Sequence, residues 1–168
     1  MLNPVDPEAI IRDGGAVGRF PGQIHEGVAW WLAACLVVTQ KATRIAVAHD
    51  GHPAITEFAD SFCRGAINAQ HYACNVRHLG SQTEDRLLLA LKELRGVPGA
   101  WLSVDGSNDD VTAHIRLYNR QGHLLDDTNG LAEIRRLIAE DRVPLPVNAQ
   151  ARGTIEPWHP LLTDGDRL

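Results

Sequence analysis

Three stretches gather oxygen and imidazole donors closely enough to do chemistry: His49-Asp50-Gly51-His52, Ser81-Gln82-Thr83-Glu84, and 103–110 with Ser103, Asp105, Ser107, Asn108, Asp109 and Asp110. Hard cations such as Mg²⁺ or Ca²⁺ take oxygen ligands, but the third stretch lacks the bidentate glutamate that closes a twelve-residue calcium loop. It reads first as a solvated polar turn, with a metal or sugar contact as the alternative; Asp109 and Asp110 would repel a phosphate. His49 and His52 flank Asp50 with no third ligand nearby, a poor transition-metal site, which gives them structural or surface roles. No GxGxxG, GxxxxGK(S/T), CxxC or GxSxG pattern occurs, so dinucleotide, nucleoside triphosphate, thiol redox and acyl-transfer chemistry have no motif to carry them. No metal ligand and no cofactor is expected.

The whole chain sets bounds on partners. Its 168 residues suit one domain, and 44% hydrophobic with 22% charged residues is the balance of an ordinary folded globule. Sixteen Lys and Arg against twenty-one Asp and Glu leave a net charge of −5, and the basic residues form no stripe with interleaved aromatics. Neither nucleic acid nor an anionic membrane is therefore an expected partner. Cys35, Cys63 and Cys74 fit neither a disulfide framework nor a zinc motif, and a reducing compartment is the simplest reading. The longest apolar run, 28–38, is too short to span a bilayer and has no basic flank or cleavage signal. The sequence reads as soluble and cytoplasmic.

Positioning these residues needs alternating helices and strands. A Gly- and Pro-rich start holds a strand near 10–18 and a long loop, then helical spacing at 28, 31, 32, 35 and 36 gives a helix over 25–40. Trp30 and Trp31 are about 100° apart on it, so at least one lies near the edge of the buried face, read as aromatic packing with ligand stacking as the alternative. Strands follow at 44–49, 72–78, 100–104 and 113–118, with helices from Thr56 to about Ala69, from Thr83 through Leu94, and from Thr128 to Asp141. This order predicts a three-layer α/β/α sandwich around a mixed, mainly parallel sheet of four strands and a short edge piece. The loops after parallel strands converge on one edge, so the three polar stretches should meet there. After residue 142 the density of Pro144, Pro146, Pro157 and Pro160 argues against regular structure, so 1–142 reads as the domain and 143–168 as a tail partly packed on it.

The residues so isolated resemble a known set. Ile11 to Glu140 is similar to the first domain of the α-D-phosphohexomutases, the phosphomannomutase and phosphoglucomutase family. Ile11-Arg12-Asp13-Gly14-Gly15-Ala16-Val17-Gly18 stands where that family has its "YDIRG" opening, with Val17 in place of its phosphate-contacting arginine. In 45–65 Asp50 fits the aspartate of "GRD.R" and His52 takes the place of its arginine. Thr83 fits the "TP" helix start with Glu84 replacing proline, His114-Ile115-Arg116-Leu117 falls where "GIKL" belongs, and 126–134 resembles the downstream turn and closing helix. The "TASHNP" loop, whose serine carries the phosphoryl group, is here Leu102-Ser103-Val104-Asp105-Gly106-Ser107-Asn108-Asp109. Either Asp105 or Gly106 occupies the phosphoserine position, according to the side from which the loop is aligned.

The resemblance implies carbohydrate metabolism and an isomerase ancestry, with a chemical site that has decayed. The family's other three domains supply a DxDxDR magnesium loop, sugar recognition and a distal phosphate site, and the chain is expected to be complete after one domain. Thr163-Asp164-Gly165-Asp166-Arg167-Leu168 is similar to the end of that metal loop, but Leu162 replaces its first aspartate, and the string reads as chance or remnant. The expectation is a pseudoenzyme: no catalytic residue, with Arg12, Asp50, His52, Ser103, Asp105, Ser107 and Asn108 as ligand-contacting candidates. It would act by binding a protein or a sugar phosphate. The alternative is a residual intramolecular phosphotransferase that borrows domains from another chain. Trp158, Leu161 and Leu162 need cover, which favours a docked tail and a homodimer.

Overall fold

The computed structural model describes residues 5–20, 22–69, 73–107, 110–143 and 152–158, with the backbone alone at 107 and 110. A single helical turn, α1 (Pro7–Ile10), comes first; Asp6 accepts a hydrogen bond from the Glu8 N–H, and Pro7 brings a preset φ to the first turn. The strand expected at 10–18 thus starts later, as β1 (Gly15–Phe20). Next come α2 (Glu26–Gln40), β2 (Arg44–His49), α3 (Thr56–Ile67), β3 (Asn75–Ser81) and α4 (Glu84–Glu93). The chain continues with β4 (Gly99–Ser107), β5 (Asp110–Tyr118), α5 (Leu131–Ala139) and β6 (Thr154–Pro157).

The sheet has six strands in the order β1-β5-β4-β2-β3-β6, which corrects the expected four strands and an edge piece. β4, β2, β3 and β6 run parallel; at the other side β5 pairs antiparallel with β4, and β1, antiparallel to β5, runs in the direction of the parallel set. Two features depart from the sequence reading. The polar stretch from 103 is not a turn over its whole length: β4 continues to Ser107 and β5 returns from Asp110 in register, because Leu102 and Val104 alternate with Ser103 and Asp105 in the two-residue period of a strand. The second is β6, formed inside the Pro-rich segment. It lies on the sheet edge, where a proline without an N–H is tolerated.

The layers are unequal. Ile45, Val47, Val76, Ala100, Leu102, Ala113, Ile115 and Leu117 face a large core built with α1, α2, α3 and α5. Ala46, Ala48 and Leu79 face a smaller one under α4, where Leu87, Ala90 and Leu91 pack. α2 is apolar almost all round, as suits a helix between the sheet and other helices. It meets α3 at Gly65, where an added Cβ would lie 2.4 Å from the Trp30 carbonyl oxygen, so that side chain is excluded by the helix contact itself. Trp31 packs at the core's rim, its ring nearly perpendicular to that of His25 with centroids 5.4 Å apart.

β6 is held by its side chains as well as its ladder. Asn75 Nδ2 donates to Thr154 Oγ1 at 2.7 Å, Arg77 pairs with Glu156 at 3.0 Å, and Trp158 N–H donates to the His78 carbonyl before the indole packs on the α4 side. Residues 144–151 and 159–168, with Leu161, Leu162 and the Asp164-Gly165-Asp166-Arg167 string, lie outside the described residues.

Candidate functional site

Parallel strands β2, β3 and β4 end on the same side, and their loops do meet. Asp50 follows β2; its N–H donates to the Leu102 carbonyl at 3.0 Å. One carboxylate oxygen accepts from Val104 N–H at 2.8 Å and the other from His52 N–H at 2.9 Å. Gln82 N–H donates to the His49 carbonyl at 2.9 Å, and Trp101 Nε1–H donates to the Gln82 carbonyl at 2.9 Å. Asp50 is therefore a staple between two strands, with both oxygens occupied by backbone donors.

The loop itself is shaped by imidazole acceptors. Gly51 N–H donates to His49 Nδ1 and Ala54 N–H to His52 Nδ1, both at 3.0 Å. Gly51 has φ +86°, a conformation that glycine adopts without strain, and an added Cβ would lie 2.5 Å from Ser81 Oγ. His49 is nearly buried, and its pKa is lowered: burial acts first, then the charge of His78, against the opposing pull of Asp50 and Asp60.

On the hairpin, Ser103 stands opposite His114 in the register, and Asp105 pairs with His114 Nε2 at 2.9 Å. The same alternation puts Thr112 and Arg116 of β5, and Val17 and Arg19 of β1, on this face, beyond the part of the sheet that α4 covers. Glu84, the first residue of α4, closes the row, accepting from the Tyr118 hydroxyl and lying 3.3 Å from Arg116 Nε. Burial and the Glu84 carboxylate both push the Tyr118 pKa up. His114 and Arg116 entered the sequence reading only through the segment similar to "GIKL", and neither they nor Tyr118 were among its ligand-contacting candidates, although the period-two spacing of 112, 114 and 116 places the first two on one face. Ser107 ends β4 at this edge, and Asn108 lies outside the described residues.

Arg12 does not join them. Gly15 is level with Arg116 and Trp101, so Arg12 lies below that level while Ser103 and Asp50 lie above it, two and three strands away. Strand spacings put the separation on the order of 20 Å. Arg12 lines a groove of about 340 Å³ with Asp13, Asp126 and Asp127, and its guanidinium is bonded to Asp13 and to the Ala9 carbonyl. Arg135 lines the same groove, paired with Asp127 at 3.0 Å, so both arginines there already face carboxylates.

The chemistry open to this edge is hydrogen bonding and weak ion pairing. Among the described residues, no hydrogen bond joins Ser103 Oγ to His114, so the serine has no positioned base. No group of three or more His, Cys, Asp or Glu among the described residues is arranged to hold a metal ion, and no described helix is long and apolar enough to cross a membrane.

No family model and no curated protein matches the sequence. Solved structures do match. A phosphoglucomutase/phosphomannomutase family protein from Burkholderia thailandensis superposes with a TM-score of 0.68 at 16% identity, over 92% of this chain and 34% of that one. A Thermus thermophilus protein assigned as a phosphomannomutase gives 0.60 at 18% identity, over 86% of this chain and 31% of its own. The protein has the α/β fold found in phosphohexomutases, and it spans about a third of the length of those two structures.

Proposed function

We propose that this chain is a phosphohexomutase-like binding domain that does not itself move a phosphoryl group, and that it acts by docking a protein or a sugar phosphate at the edge formed by β2, β4 and β5. One observation carries this reading: where a mutase needs a phosphorylatable serine, the hairpin offers Asp105, whose carboxylate pairs with His114, or Gly106. A carboxylate in that place is not the hydroxyl nucleophile of such a site: phosphorylated, it would be a labile acyl phosphate rather than a phosphoserine, and here it is paired with His114. The polar face of Ser103, Thr112, His114 and Arg116, left uncovered by α4, is the surface on which a partner would sit. Cytoplasmic residence and self-association as a homodimer belong to the same proposal.

The alternative is a residual intramolecular phosphotransferase completed by domains from another chain, favoured by a fold that matches about a third of full-length mutases. A coupled assay on mannose 1-phosphate and glucose 1-phosphate, with Mg²⁺ and the bisphosphate activator, separates the two. The binding reading expects no turnover above the protein-free background. Turnover that disappears in Ser107→Ala would overturn it and favour the enzyme.

A further inference from the structure

The same three-residue device begins at the last residue of β2 and lies near the end of the neighbouring β3. His49-Asp50-Gly51 and His78-Leu79-Gly80 each place a glycine two residues after a histidine, and each glycine N–H donates to the preceding imidazole Nδ1, at 3.0 Å and 2.9 Å. Both glycines have positive φ, +86° and +75°. The irregularity between Val47 and Ala48 in the β2/β3 pairing makes this possible: Val47 pairs with His78 but Ala48 pairs with Gly80, so Leu79 is an extra residue in the β3 strand. The two rings meet edge to face with centroids 5.9 Å apart.

An Nδ1 that accepts a hydrogen bond carries no proton, so each ring is held as the neutral Nε2–H form. A proton on Nδ1 turns that acceptor into a donor aimed at another donor, and it places a positive charge beside the neighbouring ring. We propose that this pair is an acid-sensitive latch on the loop that carries Asp50 and His52. Protonation of His49 releases Gly51, and with it the Asp50 carboxylate that ties the loop to Val104 of β4. The titratable groups facing His49 are His78 on β3, Asp50 on its own loop and Asp60 on α3; the two carboxylates favour the proton, while burial and any charge on His78 oppose it. An opened loop exposes a ring of ordinary basicity, so opening takes up a proton and grows as pH falls below the usual histidine range. The latch rests on the loop's geometry and holds whether or not the binding reading is right.

Amide hydrogen exchange on the ¹⁵N-labelled full chain tests it, read as protection factors so that the intrinsic pH dependence of exchange is removed. Between pH 8 and pH 5, protection of Gly51 should fall on the order of tenfold, the effect of losing one ordinary hydrogen bond, while Leu102 and Ile115 in the sheet interior stay protected. In His49→Asn the amide oxygen still accepts from a backbone N–H two residues on but does not titrate, so its Gly51 protection should be flat across the range. Unchanged protection in the wild-type chain, or an acid-induced loss that persists in His49→Asn, overturns the latch. Long-range ¹H–¹⁵N spectra of the imidazoles give a check that needs no variant: Nε2–H rings at pH 8 are expected for His49 and His78, and an Nδ1–H ring at His49 overturns the proposal.

Discussion

Asp50 shows how a residue's type announces chemistry that its partners then redirect. A carboxylate just after a buried strand looks like a ligand contact, but here its oxygens accept from the amides of His52 and of Val104. Asp50→Ala should lower stability by about 1–2 kcal/mol in urea titration, at the modest end because the site is solvent-accessible and water replaces part of what is lost; Asp50→Asn, which keeps one acceptor oxygen, should lose less. The cysteines offer a second test at this scale. Cys35, Cys63 and Cys74 are all free and buried, and burial pushes each thiol up to about 12. The native chain should therefore leave Ellman's reagent unreacted near pH 8, and all three thiols should react once it is unfolded. Position 50 was visible in the sequence, while its role depended on a strand 54 residues further on.

Single glycines decide whether two of the elements can approach each other. α2 and α3 cross at Gly65 with no space for a side chain against Trp30, so Gly65→Ala must push the helices apart. Forced overpacking of this kind costs about 1–3 kcal/mol, to be seen as a lower thermal midpoint. Gly153 leads into β6, and a Cβ there would meet the Cys74 carbonyl oxygen at 1.8 Å. Gly153→Ala should detach β6 from β3 and free Trp158, with a red shift and easier quenching of tryptophan emission. Should the emission stay unchanged, β6 does not depend on that close approach. Helices α2 and α4 were legible because their apolar spacing and caps lie within one segment; Thr83, for instance, accepts from the Arg86 N–H. β6 was not, because a short Pro-flanked strand has no pattern of its own and exists only where β3 offers an edge.

The asymmetry of the whole molecule follows from where its apolar residues run out. Four helices cover one face of the sheet, and α4 alone covers part of the other among the described residues. Among the described residues, that leaves Ser103, Thr112, His114 and Arg116 of the β4-β5 side beyond the cover of α4. At this scale the homodimer is tested by sedimentation at tens of micromolar, comparing the full chain with one ending at Arg142. A dimer that becomes monomeric on truncation is the expected outcome; two monomers of equal stability would remove both self-association and the contribution of the tail. β6 already gives part of that tail a place on its own sheet, where Trp158 packs.

The α/β class, the order of most elements and the convergence of three polar stretches on one edge were determined by the sequence itself. They follow from local periodicity, from caps and from the rule that loops after parallel strands share a side. Tertiary structure alone decided that Arg12 stands at the opposite end, that His114 pairs with Asp105, and that His49 and His78 form a matched pair. The physical reason is common to all three: each depends on strand register, a relation between segments far apart in the chain. Register is set by how side chains on several strands pack at once, and no single segment carries it.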